Sequence, residues 1–163
     1  MAISKEDIAN SYPLPAYNYR VDIGSESYGF AKVTGLSLQY DTVTYRHGLS
    51  SLEGTHHLVG ILQPVNISLQ RGVVRSGSVL LEWISKTPMK QDITVHLCNE
   101  QGEPLVSWWV QNAIPTSYEA GDFDVNTQDV AIETLSLISD NMRITYHTSG
   151  QRGGARSNIF QIN

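Results

Sequence analysis

The stretch Ile93-Thr-Val-His-Leu-Cys-Asn-Glu-Gln-Gly-Glu-Pro-Leu-Val-Ser-Trp-Trp-Val-Gln111 decides the fold. Ile93, Val95 and Leu97 alternate with Thr94, His96 and Cys98; Val106, Trp108 and Val110 alternate with Ser107, Trp109 and Gln111. A period of two sends successive side chains to opposite faces, so each run predicts a half-buried strand. Between them, Asn99-Glu-Gln-Gly-Glu-Pro104 carries hairpin turn chemistry.

The same period recurs on both sides. Upstream, Tyr17, Tyr19, Val21 and Ile23 alternate with polar residues, as do Leu36, Leu38 and Tyr40, and Val65, Ile67 and Leu69. Downstream, Met142, Ile144 and Tyr146 do so. The expected fold is mainly β: a small antiparallel barrel, or two packed sheets, with one flanking helix. That helix spans 76–87. Ser76 or Ser78 caps it, Val79, Leu80, Trp83 and Ile84 share a face, and Pro88 stops it. Trp83 should pack on the β layer. A second helical turn is expected from Ser4 toward Asn10.

Two runs lose phase, after Tyr40 (to Val43 and Tyr45) and after Ile132 (to Leu135 and Leu137). A one-residue slip swaps faces, so each break predicts a bulge in a strand that runs past the monomer's own barrel. The segment 46–63, with Gly48, Gly54 and Gly60, reads as a long irregular loop. Such loops are usually functional. The extension 148–163 carries three glycines, Arg152 and Arg156, no acid, and an apolar tip at Ile159, Phe160 and Ile162. Residues 1–147 read as one domain.

The chain has 163 residues and a net charge of −5, with no basic cluster. A nucleic-acid partner is not expected, because phosphate binding needs a basic patch. No apolar run reaches the ~18 residues of a membrane helix, and no signal peptide is expected. The single Cys98 cannot form an internal disulfide. Charged residues make up 17%, against about 25% in typical domains. Interface cores are depleted in charge, so this shortage points to surface covered by self-assembly.

No catalytic or cofactor site is expected. His47, His56 and His57 share one loop, but adjacent histidines suit a single tetrahedral metal poorly, so no metal is expected. Gly48-Leu-Ser50-Ser-Leu52 lacks the last glycine of a nucleophile elbow. Asp122 and Asp124 sit in a turn, where carboxylates commonly accept local hydrogen bonds. Trp108 belongs with the core. Trp109 faces the other way, either under a second layer or as an anchor between subunits, where aromatics are enriched.

Several blocks together resemble a known family. They are Tyr12-Pro-Leu-Pro-Ala-Tyr-Asn-Tyr-Arg-Val21, Phe30-Ala-Lys-Val-Thr-Gly-Leu-Ser-Leu-Gln-Tyr40, Thr44-Tyr-Arg-His-Gly48 and Pro64-Val-Asn-Ile-Ser-Leu-Gln-Arg-Gly72. The Trp83-Ile84 helix, Asp92-Ile-Thr-Val95, Asn112-Ala-Ile-Pro-Thr116, Asp122-Phe-Asp124 and Asp129-Val-Ala-Ile-Glu-Thr-Leu135 follow. In this order, over residues 12–147, they are similar to contractile phage tail tube proteins. That family includes inner tubes of extracellular contractile injection systems of the antifeeding-prophage and Photorhabdus virulence cassette type.

The resemblance implies a tail-tube fold and homohexameric rings stacked into a hollow tube inside a contractile sheath. The partners would be sheath, baseplate and luminal cargo. Assembly would take place in the bacterial cytoplasm, as part of a phage tail or a released tail-like particle. The loop 46–63 matches the family's extended hairpin loop, which reaches the adjacent ring. His47, Leu49, Leu52 and Glu53 are the expected inter-ring contacts, and Trp109 the expected inter-subunit contact. Two departures stand out: no Pro-rich turn precedes the Pro64 block, and the chain continues past His147. Both suit a specialised ring, such as the tube initiator at the baseplate. Other readings are a secreted ring protein of the haemolysin-coregulated class and a carbohydrate-binding β-barrel.

Overall fold

The computed structural model describes residues 12–48, 54–75, 78–86 and 89–147. Ten strands and one helix make up this part of the chain. Eight strands form one antiparallel sheet in the order β2 (Glu26–Tyr28), β1 (Tyr19–Ile23), β7 (Gln91–Cys98), β8 (Pro104–Ala120), β9 (Ile132–Ser139), β6 (Val65–Gly72), β3 (Lys32–Thr34), with β10 (Asn141–Tyr146) also on β8. The last two strands, β4 (Tyr40–Tyr45) and β5 (His56–Leu62), pair only with each other.

The long strand β8 turns this sheet into two layers. Its first half pairs with β7 and β10, and its second half with β9. Asn112 marks the corner, with φ of 53°. Asparagine tolerates this left-handed region better than most residues. Between Ile93↔Val110 and Gln91↔Ala113, β8 advances three residues while β7 advances two. Asn112 lies in the resulting bulge, and its N–H donates to Asp92 Oδ1 at 2.9 Å. The bulge also changes phase: Val106 and Val110 point inward before it, Ala113 after it. Asn112→Val should therefore cost about 1–2 kcal/mol, while Asn112→Gly should be close to neutral. Urea unfolding of the two variants checks this, and equal costs would remove the backbone argument.

The core lies between the layers. Val21, Ile23, Ile93, Val95, Val110 and Met142 meet Val65, Ile67, Leu69, Leu135 and Leu137, with Leu80 and Trp83 from the helix α1 (Val79–Ser85). Each fully buried large aliphatic side chain contributes roughly 1.5–3 kcal/mol. Ser78 is the N-cap of α1, its Oγ accepting from Leu81 N at 3.2 Å. Trp83 packs inward and its indole N–H donates to the Met89 carbonyl at 3.0 Å. Ser76, Thr87, the Ser4–Asn10 turn and the extension 148–163 lie outside the described residues. The 99–104 hairpin turn forms as expected: Asn99 Oδ1 accepts from Gln101 N and Glu103 N.

The two-layer form of the expected fold is the observed one; β2 and β3, the ends of the strand order, are not paired with each other. Several local expectations need correction. The break after Tyr40 is real, with a register shift between Tyr40 and Thr42, and this strand does leave the main sheet. The break after Ile132 is not. In β9 the inward set is Glu133, Leu135, Leu137 and Ser139 in unbroken alternation, because a glutamate occupies a core position. Residues 56–62 of the supposed irregular loop form β5. Residues 36–39 are not a strand, and of Met142, Ile144 and Tyr146, which share one face of β10, only Met142 is buried, the other two being exposed because the core ends at Met142.

Candidate assembly interface

The hairpin β4–β5 is the most exposed pair of strands in the described chain. Every residue of β4 is exposed, and most of β5 is as well. The pairs Val43↔Leu58 and Tyr45↔His56 place Val43, Tyr45 and Leu58 on one face, and Thr42↔Val59 puts Val59 on the other. Val59 and Ile61 are 77% and 79% exposed. A two-stranded hairpin is marginal alone in water. Contiguous exposed apolar surface marks an interaction site. Residues 56–62 of the expected irregular loop are thus one strand of a ribbon with exposed apolar side chains on both faces.

His47 lies just past β4. Its ring centroid is 6.0 Å from those of both Tyr45 and His56, and it stacks on the latter. Arg46 Nε donates to Thr55 Oγ1 at 3.2 Å across the hairpin. Leu49, Leu52 and Glu53 lie outside the described residues. Among those described, no group of three or more His, Cys, Asp or Glu could hold a metal.

Trp109 stands on the outer face of the first layer, half-buried. The Arg143 guanidinium lies 5.5 Å from its ring centroid, a cation–π contact between cross-strand neighbours. Trp109 thus carries a covering group from its own chain on one face and stays partly open.

Beside it runs a polar relay that the sequence analysis did not find. Asp22 Oδ2 lies 3.0 Å from His96 Nε2, His96 Nδ1 lies 2.6 Å from Ser107 Oγ, and Ser107 Oγ lies 2.7 Å from His147 Nε2. One proton arrangement satisfies every group: His147 donates to Ser107, Ser107 to His96, and His96 to Asp22. Burial pulls the His96 pKa down, further than the Asp22 carboxylate raises it. The order Asp–His–Ser is that of an acyl-transfer relay. However, Ser107 is only 6% exposed and sits between two imidazoles, so no substrate carbonyl can reach its oxygen. What the relay does is tie β1, β7 and β8 to the end of β10. Its signal lay in the outward positions of the alternating strands, which a search for apolar residues passes over.

A second buried cluster centres on Glu133, 1% exposed. Arg71 Nε donates to Oε1, as does Ser78 Oγ at 2.9 Å, while Tyr118 OH donates to Oε2 at 2.9 Å. Burial opposes ionisation, but the hydrogen bonds from Arg71, Ser78 and Tyr118 and the Arg71 charge outweigh it, so the carboxyl is held below its ordinary value. The Glu133 hydrogen bond, with burial, raises the Tyr118 pKa and keeps the phenol a donor. Because Ser78 also caps α1, this cluster locks the helix to β6, β8 and β9.

These features are found together in a chain whose residues 15–143 match the model of the T4-like virus tail tube protein gp19 family. The chain belongs to this tail tube family. Among solved structures, it resembles a chain of the PVC sheath-tube complex of an extracellular contractile injection system, in its extended state. That match has 34% identity and a TM-score of 0.80, covering 90% of this chain and 100% of that one. A chain of the anti-feeding prophage cap, a tube-terminating cap, is 36% identical with the same TM-score and coverage. Hcp1 from Flavobacterium johnsoniae, at 14% identity and a TM-score of 0.54 over 78% of this chain and 94% of that one, shares the fold alone. No curated protein matches the chain. The tail tube family is structural, and this member is a component of a contractile, phage-tail-like particle.

Proposed function

We propose that this protein is the inner-tube subunit of a contractile injection system, forming hexameric rings that stack around a lumen for cargo. Residues 1–147 would be the tube domain and 148–163 an extension. The observation that carries the reading is the β4–β5 ribbon, apolar and exposed on both faces. In a monomer it is an aggregation hazard; in a stack it is covered by the next ring. Strands β2, β3 and β10 each pair on one side only among the described residues. Lateral contacts around a ring would cover such edges, with Trp109 as an inter-subunit anchor. Ring closure needs heterologous contacts that complete a rotation. Sheath and baseplate proteins would be the outer partners, with assembly in the bacterial cytoplasm.

The segment that joins β4 to β5 in the sequence would make the ring-to-ring contact through His47, Leu49, Leu52 and Glu53, the leucines by burial and the polar pair by register. Leu49→Asp with Leu52→Asp should leave rings intact in negative-stain electron microscopy and abolish long tubes. Tubes of normal length would refute the assignment. A second reading, a terminal or initiating ring, draws on the likeness to the tube-terminating cap. It predicts single rings from the unaltered protein, even with a baseplate present.

A further inference from the structure

The relay of Asp22, His96, Ser107 and His147 can hold one extra proton and no more than one. Its neutral arrangement is fixed from the Asp22 end. A carboxylate only accepts: Asp22 Oδ1 takes the Ser27 hydroxyl at 2.6 Å, and Oδ2 faces His96 Nε2 at 3.0 Å. His96 Nε2 therefore carries a hydrogen. In the neutral ring Nδ1 is then bare, and it accepts from Ser107 Oγ at 2.6 Å. Ser107 has given its one hydrogen, so its oxygen accepts from His147 Nε2 at 2.7 Å.

A first extra proton can enter at either imidazole. On His147 it goes to Nδ1, and the Nε2–H bond to Ser107 stays as it is. On His96 it goes to Nδ1, the hydroxyl turns round, and Ser107 donates to the bare Nε2 of a neutral His147. Every group in the relay keeps a partner in both cases. A second proton ends this. Both imidazoles then point an N–H at one oxygen, and the hydroxyl hydrogen has no acceptor left in the relay. Ser107 is buried, so the orphaned donor carries a desolvation cost, and two cations flank a single oxygen.

The surroundings give little relief. Arg20 and Asp22 of β1 and Ser107 of β8 face His96, and His147 follows β10. Arg143, on the outer face of β10, lies against Trp109. Asp22 is the one anion among these groups, and Arg20 Nε already lies 3.8 Å from it. Burial, with Arg20 and His147, holds the His96 pKa below its ordinary 6.5 in spite of Asp22.

The member free to leave is His147. Asp22, His96 and Ser107 sit inside paired strands. His147 is exposed and lies one residue past β10, held by the relay and by its own N–H, which donates to the Leu105 carbonyl at 2.8 Å. We propose that the relay is a proton-operated latch: it ties the end of β10 to β8 while at most one of its imidazoles is charged, and releases His147 when both are. Residues 148–163 follow His147 directly, so the latch sets whether they leave the domain from a fixed point or a loose one. It acts within one subunit and does not depend on the tube reading. The sign follows from His96, which takes a proton more readily outside the relay than in it. The latch is complete above 6.5 and is lost as pH falls through the lowered value, because the released state binds the proton first.

Hydrogen exchange of the full chain, read by mass spectrometry at pH 7.5 and pH 5 and corrected for the intrinsic pH dependence of amide exchange, tests the latch. In the unaltered protein, protection of residues 141–147 should fall at least about tenfold at the lower pH, as expected when one buried hydrogen bond to a charged group is lost. Strand β9 should keep its protection. His147→Gln retains an N–H for Ser107 and takes no proton, so it should show no step with pH. Ser107→Ala cuts the relay and should exchange fast at both pH values, again without a step. Equal protection of the unaltered protein at the two pH values overturns the latch. A step of the unaltered size in either variant overturns it as well.

Discussion

Glu133→Gln should destabilise the subunit by about 3 kcal/mol at pH 7, the lower end of what removing one partner from a buried ion pair costs. The neutral amide takes the carboxylate away from the half-buried Arg71 guanidinium and cannot accept from Ser78 and Tyr118 as both carboxylate oxygens do. The sign of the pH dependence follows from the lowered carboxyl pKa. In wild type the contribution of ionised Glu133 is complete above the ordinary carboxyl value of 4.5. It is lost as pH falls through the depressed folded value, because the unfolded chain binds the proton first. The gap between wild type and Glu133→Gln should thus be widest at neutral pH and narrow below about 4.5. Urea unfolding followed by tryptophan fluorescence at pH 7 and pH 3.5 measures both gaps. A gap that stays constant with pH would show that the carboxylate charge is not what holds the cluster.

The other large effect is expected at Gly35, where the chain turns from β3 toward the ribbon. Its φ is +88°, and a Cβ there would lie 1.9 Å from the backbone oxygen of Asn66. That atom belongs to β6 and cannot rotate away. Gly35→Ala combines left-handed strain of about 1–2 kcal/mol with backbone overpacking of about 1–3 kcal/mol. A loss near 3 kcal/mol should lower Tm by roughly 10 °C in a chain of this size. Gly102→Ala is the control. Its φ is +81° but nothing lies within 4 Å, so only the strain remains. Equal losses at the two positions would dismiss the steric argument. Because residues 36–39 lead directly into β4, the proposed tube role adds that Gly35→Ala should also shorten tubes by displacing the ribbon's root.

Strands with one apolar and one polar face were legible in the sequence. The runs around Val21, Ile67, Val95, Val110 and Met142 all became core strands, and the Ser78-capped helix buried Leu80 and Trp83 as its spacing required. The reading failed where a core position was not apolar. By its chemistry Glu133 reads as an outward residue, which makes Ile132 its inward neighbour and implies a bulge. The reverse failure was Asn112, whose bulge left no apolar slip to see. The candidate site was legible only in outline. The slip after Tyr40 marked the strand that leaves the sheet, but not the pairing of 56–62 that makes it a ribbon.

By itself, then, the sequence determined the class: many alternating strands, one amphipathic helix, and block order enough to place the chain among tail tube proteins. The strands and the helix are local facts, set by a two-residue period and by turn and cap chemistry; the family was a resemblance carried by the ordered blocks. The tertiary structure decided the rest. It brought Arg71, Ser78 and Tyr118 from three elements around one carboxylate, and bent β8 at Asn112 to serve two layers. It also paired 40–45 with 56–62 as a ribbon that joins no other strand. A buried charge is tolerable only when distant groups converge on it, and only the folded chain brings them together.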